Sequence, residues 1–370
     1  MILNKIHLKN FRNFSELDFS FNNKLNFVLG KNGSGKTTIL ESIHYLAFTK
    51  SFKTVYDKEV IKTGENYFQI FGKFLIDEKE KNVNLNFVRY EGKRILINDQ
   101  VLEKKKNIIG KFPIITLSPD NEKITKGSPG ERRIFIDKIL SQTDKVYFNA
   151  LLNYNRSLRQ RNFLLRKYRE KNIYKYDRLL ESIDDLMIND AFEISMKRKA
   201  FIENFNKLFQ LEIKKISHFD YDCLLKIKIN ASEEKNKFHE NYRNKLQQKI
   251  SKDIILGRTS NGPHLDIIDV YFDNREIKKV ASQGEHKIAL IALKMAEGKF
   301  IQKKLDSRVI YLLDDLFALL DSEHCINTIA EISNKNQTIV TSTSLDHIDT
   351  EIKRFDKPDF DIIDLSKEVN

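Results

Sequence analysis

The sequence predicts an α/β fold in which a head, a mixed sheet with helices plus an antiparallel β subdomain, is interrupted by an inserted, mostly helical lobe. Three stretches predict it. Gly30-Lys31-Asn32-Gly33-Ser34-Gly35-Lys36-Thr37-Thr38 fits G-x-x-x-x-G-K-[ST]. It lies between the apolar run Leu25 to Leu29 and a segment with Ile39, Leu40, Ile43, Leu46 and Ala47 at helical spacing. A strand before and a helix after form the context that this phosphate-binding P-loop needs. Near the other end of the chain, the apolar run Val309-Ile310-Tyr311-Leu312-Leu313 is closed by Asp314-Asp315. Between these two motifs the pattern turns helical, from Arg132 to about Ile250.

Taken in order, Ile6 and Leu8, then Leu17, Phe19 and Phe21, alternate with polar residues at the period of half-buried strands. Tyr67 to Ile76, Val83 to Val88 and Arg94 to Ile97 are further strand-like runs and predict the β subdomain. Phe112 to Leu117 is an apolar strand ending in the turn Ser118-Pro119-Asp120-Asn121. The helical stretch carries Ile134, Ile136, Ile139 and Leu140, then Leu151, Leu152, Leu158 and Leu165, then Ile183, Leu186, Met187, Phe201, Phe205 and Leu208. Its longest helix is expected to hold about 40 residues, about 60 Å, which makes a compact lobe and not a long coiled-coil arm. Strand signals return at Ile267 to Phe272, a helix follows Ser282, and Gln337 to Thr343 reads as a final strand. A P-loop and its acidic partner strand must meet beside one phosphate. The head is therefore expected over residues 1–130 and 251–370, with 131–250 looping out of it.

The motifs carry specific chemistry. Glycines at 30, 33 and 35 let successive N–H groups curl around a phosphate at a helix N-terminus. Lys36 would reach the β- and γ-phosphates of ATP, and the Thr37 hydroxyl would ligate Mg²⁺. The apolar run ending in Asp314-Asp315 is a Walker-B arrangement, in which a buried parallel strand delivers a carboxylate to the metal at its C-terminal edge. Asp314 is the metal-side candidate, and Asp315 the candidate for orienting or deprotonating the attacking water. Ser282-Gln283-Gly284-Glu285 admits two readings. Ser282 and Glu285 are spaced as a capping box, and Ser-x-Gly also opens a second helix N-terminus able to bind phosphate, here that of a nucleotide on another subunit.

Lys plus Arg number 64 against 52 acidic residues, a formal charge of +12, which favours a polyanionic partner. Nine basic residues against two acidic ones fall between Arg156 and Arg178. Within that stretch Arg156, Arg159, Arg161, Arg166, Lys167 and Arg169 are candidate contacts to the DNA backbone, interleaved with Tyr154, Phe163, Tyr168, Tyr174 and Tyr176. The other reading is a solvated helix face with its aromatics turned to the core. No stretch approaches the roughly 18 to 20 apolar residues of a membrane span, and the N-terminus lacks a signal-peptide pattern, so a cytoplasmic protein without a membrane partner is expected. Cys223 and Cys325 suggest neither a disulfide framework nor a zinc site.

S-Q-G ahead of a helix, then Leu312-Leu313-Asp314-Asp315 with Leu320-Asp321 six residues on, resembles the signature, Walker-B and D-loop of the ABC-type ATPases of the SMC and RecF group. More closely, the chain resembles the RecF family of bacterial recombination mediators. The resemblance runs nearly end to end, through Leu8-Lys9-Asn10-Phe11-Arg12-Asn13-Phe14, the P-loop, Leu40-Glu41-Ser42-Ile43, Ser118-Pro119-Asp120, Lys126-Gly127-Ser128-Pro129, Gly262-Pro263-His264 and Ser282-Gln283-Gly284. Where the family commonly reads G-P-H-R-D-D, this chain has Leu265 and Ile267 in place of an arginine and an aspartate.

The resemblance implies an ABC-type P-loop ATPase head and an ATP-dependent homodimer, each nucleotide capped by Ser282, Gln283 and Gly284 of the opposing copy. It implies slow DNA-stimulated ATP hydrolysis, binding to duplex DNA beside single-strand gaps, and work with RecO and RecR in loading RecA during repair and the SOS response. By the same analogy, 118–121 senses the γ-phosphate, Thr341-Ser342-Thr343 stands where related enzymes carry a switch histidine, and Phe11-Arg12 touches the adenine side.

Overall fold

A computed structural model describes residues 1–216, 222–228, 232–316, 322–343 and 360–368 of the chain. The chain divides into two compact units, Met1–Glu122 with Gln283–Asn370, and Lys123–Ser282. The second unit thus begins near the expected border and runs on past residue 250, to Ser282.

The first unit opens with β1 (Ile2–Phe11), β2 (Phe14–Ser20), β3 (Leu25–Leu29), helix α1 (Lys36–Phe48), β4 (Tyr67–Ile76), β5 (Lys79–Val88), β6 (Gly92–Ile97), β7 (Gln100–Val101) and β8 (Ile114–Leu117). An antiparallel sheet in the order β2-β1-β4-β5-β6-β7 is the expected β subdomain. The residues that set the helical period of α1, Ile39, Leu40, Ile43, Leu46 and Ala47, are all buried. They pack into a core that reaches from the antiparallel sheet to Ile310, Leu312 and Ile339. Packing is close enough that a Cβ on Gly72 of β4 would lie 2.4 Å from Leu46 Cδ1.

The second unit holds α2 (Lys123–Lys126), α3 (Pro129–Thr143), α4 (Lys145–Glu170), α5 (Arg178–Ile216), β9 (Cys223–Lys228), α6 (Lys235–Gln248), α7 (Ile250–Leu256), β10 (Ile267–Phe272), β11 (Arg275–Glu276) and α8 (Ile277–Val280). At 39 residues α5 matches the expected longest helix. Not every residue of the periodic set faces inward. Ile134 and Leu186 are 64% and 63% exposed, because neighbours such as Ile136 and Met187 take the buried face. Strand β9 was hidden inside the helical stretch, and it pairs antiparallel with β10.

Buried arginines organise this unit. Arg161 and its partners Asp184 and Asp253 are each 0% exposed, at 2.6 and 2.8 Å. Arg198 binds Asp137 and Asp266 and donates to the Pro263 carbonyl. His264 is held in the same region. Its Nε2 lies 3.1 Å from the Thr259 carbonyl, which can only accept, so Nδ1 accepts from the Tyr154 hydroxyl at 2.7 Å. Burial, with Arg133 nearby, keeps the imidazole below the ordinary histidine range against the opposing Thr259 bond. The unfolded chain therefore takes up a proton as pH falls through the ordinary value of about 6.5 while the folded chain does not, and stability present above that value is lost. The fall in melting temperature between about pH 7.5 and about pH 5.5 should be smaller in His264→Gln than in the parent. Equal falls would show that His264 titrates alike in both states.

The first unit resumes with α9 (Gln283–Leu305), β12 (Ile310–Leu313), α10 (Ser322–Ser333), β13 (Gln337–Ser342), β14 (Phe360–Asp364) and α11 (Leu365–Glu368). The second sheet runs β14-β3-β13-β12-β8, parallel throughout. Gln337–Ser342 is thus not the last strand, because β14 adds an edge beside β3. The two sheets are joined through Gln337, whose side-chain amide accepts from Leu3 N and donates to the Leu3 and Asn22 carbonyls. That satisfies backbone groups where the β1/β4 register shifts between Leu3 and Lys5.

Candidate nucleotide site

Four of the parallel strands end together. The register pairs Leu29 with Ser342, Val340 with Leu313, and Leu313 with Leu117. The P-loop, Thr341-Ser342-Thr343, Asp314-Asp315 and the turn Ser118 to Asn121 therefore leave the sheet at one edge, where ligands of parallel α/β sheets bind. Segments far apart in sequence reach this edge because the crossover connections return every strand in the same direction.

Within the P-loop, Gly33 and Gly35 hold φ of +83° and +100°. A Cβ on Gly35 would lie 2.4 Å from the Phe14 ring, so close packing and backbone conformation both require glycine there. The Lys36 ammonium donates to the carbonyls of Gly30 at 2.5 Å and Lys31 at 3.0 Å, which holds it across the loop. Partial burial lowers its pKa, opposed by Asp315 and Asp314. Thr37 donates its hydroxyl to Asp314 Oδ1 at 2.9 Å, and Thr341 donates to the same oxygen at 2.9 Å. Asp315 N–H in turn donates to the Thr341 hydroxyl at 3.0 Å. Burial raises the Asp314 carboxyl pKa, against the two hydroxyl bonds and Lys53. Asp315 is exposed and has a left-handed backbone, φ 51°.

Phosphate and Mg²⁺ fit these residues. Ser34 Oγ is buried with no hydrogen-bond partner in the described structure, which leaves a hydroxyl to satisfy. Thr37 and Asp314 offer a hydroxyl and a carboxylate, the hard oxygen donors Mg²⁺ uses beside phosphates. No cluster of three or more His, Cys, Asp or Glu occurs among the described residues, so a dedicated all-protein metal cage is not built there.

Sequence reading missed Thr341 as a hydroxyl partner of Asp314, and also a second network. Glu41 of α1 is 1% exposed and receives Arg12 Nε and Nη2 at 2.9 and 2.5 Å, together with the Ser51 hydroxyl. The Ser51 oxygen accepts from Lys53 N and Thr54 N, which fixes the loop carrying Lys53. The apolar period of α1 gave no signal for Glu41, which lies opposite the stripe of Ile39, Leu40, Ile43, Leu46 and Ala47; it is buried because α1 is covered all round from Ile39 to Ala47. Phe11 is 0% exposed, packed edge-on against Tyr45 and Phe68, so its expected place against the adenine is corrected to the core.

The family model for the RecF/RecN/SMC N-terminal domain matches residues 2–355. The DNA replication and repair protein RecF of Chlorobium limicola is 35% identical over 356 residues, 94% of this chain and 96% of the relative. The chain belongs to the RecF family. A solved structure of the recombination mediator protein RecF-ATPrS in the RecFOR pathway superposes with a TM-score of 0.85 at 28% identity, covering 94% of this chain and 93% of that one. An SmcHead bound to the C-winged helix domain of ScpA is similar with a TM-score of 0.54 at 18% identity over 94% and 91%, a likeness of fold. The fold is thus the SMC/RecF type of ABC ATPase head.

The remaining RecF-family motifs fall as follows. Gln283 and Gly284 open α9, and with the preceding Ser282 they are exposed. Leu320-Asp321 lies outside the described residues. Leu265 and Ile267, where the family pattern has charges, are 47% and 45% exposed. On α4, Arg156, Arg159, Arg166, Lys167 and Arg169 are exposed. Arg161 is not, and its assignment to DNA is corrected: it is wholly buried and neutralised by Asp184 and Asp253. Tyr154 and Tyr168 are buried too, while Phe163 and Tyr174 stay 54% and 49% exposed. No helix among the described residues is long and apolar enough to cross a membrane.

Proposed function

We propose that this chain is an ATP-dependent DNA-binding protein of DNA replication and recombinational repair, acting in the cytoplasm as an ATP-driven homodimer. It binds duplex DNA beside single-strand gaps and, with RecO and RecR, helps load RecA; hydrolysis is slow, DNA-stimulated and used as a switch. The single observation that carries the nucleotide part is the Thr37–Asp314 hydrogen bond, which joins the P-loop to the Walker-B strand at one sheet edge. The DNA part is supported by the likeness to proteins named RecF and by the exposed cations of α4.

In this reading the N–H groups of the 30–38 loop and the Lys36 ammonium bind the phosphates. Thr37 and Asp314 hold Mg²⁺, which when bound offsets charge on the phosphate oxygens. Asp315, exposed at the strand end, orients or deprotonates the attacking water. Ser282, Gln283 and Gly284 cap the nucleotide of a second copy, so closure of the dimer reports that ATP is bound.

Asp315→Asn is expected to lose turnover while ATP still drives dimerisation, seen by light scattering on a sizing column. Normal hydrolysis by this variant would mean that another group handles the water. The DNA part is tested by fluorescence anisotropy on duplex, gapped and single-stranded DNA, with and without ATP, at two salt concentrations. ATP should tighten binding. If the five exposed α4 cations each neutralise a phosphate, the log–log salt slope should be about −4.5 on duplex and about −3.5 on single strands. A flat salt response removes α4 from the contact.

A further inference from the structure

One face of α4 is unusual for a solvated helix. Glu170 is the only acidic residue between Lys145 and Glu170. At about 100° per residue, Arg156, Arg159, Phe163, Arg166 and Lys167 fall within an arc of about 100° and span about 16 Å along the axis. All five are exposed. None of the four cations forms an ion pair among the described residues, whereas Arg161 on the opposite face is paired with Asp184 and Asp253. The centre of this stripe is an aromatic ring. Phe163 keeps 54% of its surface in solvent, and the Lys167 ammonium sits 4.6 Å from the ring centroid.

Cations alone would serve any polyanion. A phenyl ring held among them adds something that duplex DNA cannot use, because paired bases hide their faces in the stack. An unpaired base can lay its face on the ring while its flanking phosphates meet the cations, the combination found in sequence-tolerant single-strand sites. A cation beside the ring favours such stacking further.

We infer that the exposed face of α4 is a single-strand contact, in which Phe163 stacks on an unpaired base and Arg156, Arg159, Arg166 and Lys167 hold the adjoining phosphates. The inference rests on the DNA-binding reading above and names the strand type this face takes. Stacking is not ionic, so loss of the ring lowers affinity without changing the salt slope, whereas loss of a cation changes both.

The chain contains no tryptophan, which makes Phe163→Trp a single-site fluorescent reporter. The experiment measures anisotropy of labelled oligothymidylate and of blunt duplex with the full-length parent and Phe163→Ala, and tryptophan emission of Phe163→Trp with the same DNAs. Phe163→Ala should bind oligothymidylate about tenfold or more weaker, with the salt slope kept and duplex affinity within about twofold. Phe163→Trp should bind as the parent does, with emission quenched by oligothymidylate and not by duplex. The inference is overturned if Phe163→Ala binds single strands undiminished, or if the tryptophan emission stays constant while anisotropy reports single-strand binding. A parent chain that binds neither DNA overturns the DNA-binding reading itself. Duplex binding by the parent alongside either negative result for residue 163 overturns only the single-strand assignment.

Discussion

Lys36→Ala is expected to abolish measurable ATP hydrolysis and to weaken ATP binding by about 1.5–3 kcal/mol, roughly 10- to 150-fold, the range for a hydrogen bond to a charged group. The Lys36 ammonium already spans the loop through the Gly30 and Lys31 carbonyls, so it is held in position and has little freedom left to lose on meeting phosphates. Asp315 and Asp314 oppose the effect of its partial burial and favour the charged form. Lys36→Arg keeps the charge but replaces a compact ammonium with a planar fork, so turnover should fall there as well, with a smaller loss of binding. Titration calorimetry and phosphate release separate the two effects. Turnover at the parent rate in Lys36→Ala would remove the P-loop from the chemistry.

Arg161→Ala is expected to destabilise the second unit by about 3–5 kcal/mol, the cost of leaving buried charges without their partner. Asp184 and Asp253 are 0% exposed and would have no compensating cation. The exposed neighbour Arg159 should tolerate alanine within about 0.5 kcal/mol. Denaturant unfolding of the two variants side by side measures the contrast. Equal stability would mean that the buried triad relaxes or takes in water.

These two arginines mark a limit of sequence reading. They lie two residues apart in one basic run, and what separates them is partners far along the chain at 184 and 253. The same limit hid Thr341, whose hydroxyl matters because β12 and β13 are neighbours, and Glu41, whose partners come from the β1–β2 turn and from the loop after α1. Strand β9 was obscured by the lysine-rich helices around it, and β14 by its position at the edge, beyond a strand that already completed the expected pattern. The P-loop, the apolar run before Asp314 and the periodicity of α1 were legible because each is a local signal whose spacing alone fixes a conformation. The edge where they meet was legible as well, since a P-loop and an acidic strand end have to share one phosphate.

The most direct measurement is ATP hydrolysis by the unsubstituted chain with Mg²⁺, alone and with duplex, gapped and single-stranded DNA. Slow basal turnover, raised by duplex-containing DNA and absent in Lys36→Ala, is the predicted result. A rate that no DNA alters, or turnover that survives loss of Lys36, would contradict a nucleotide switch coupled to DNA at this sheet edge.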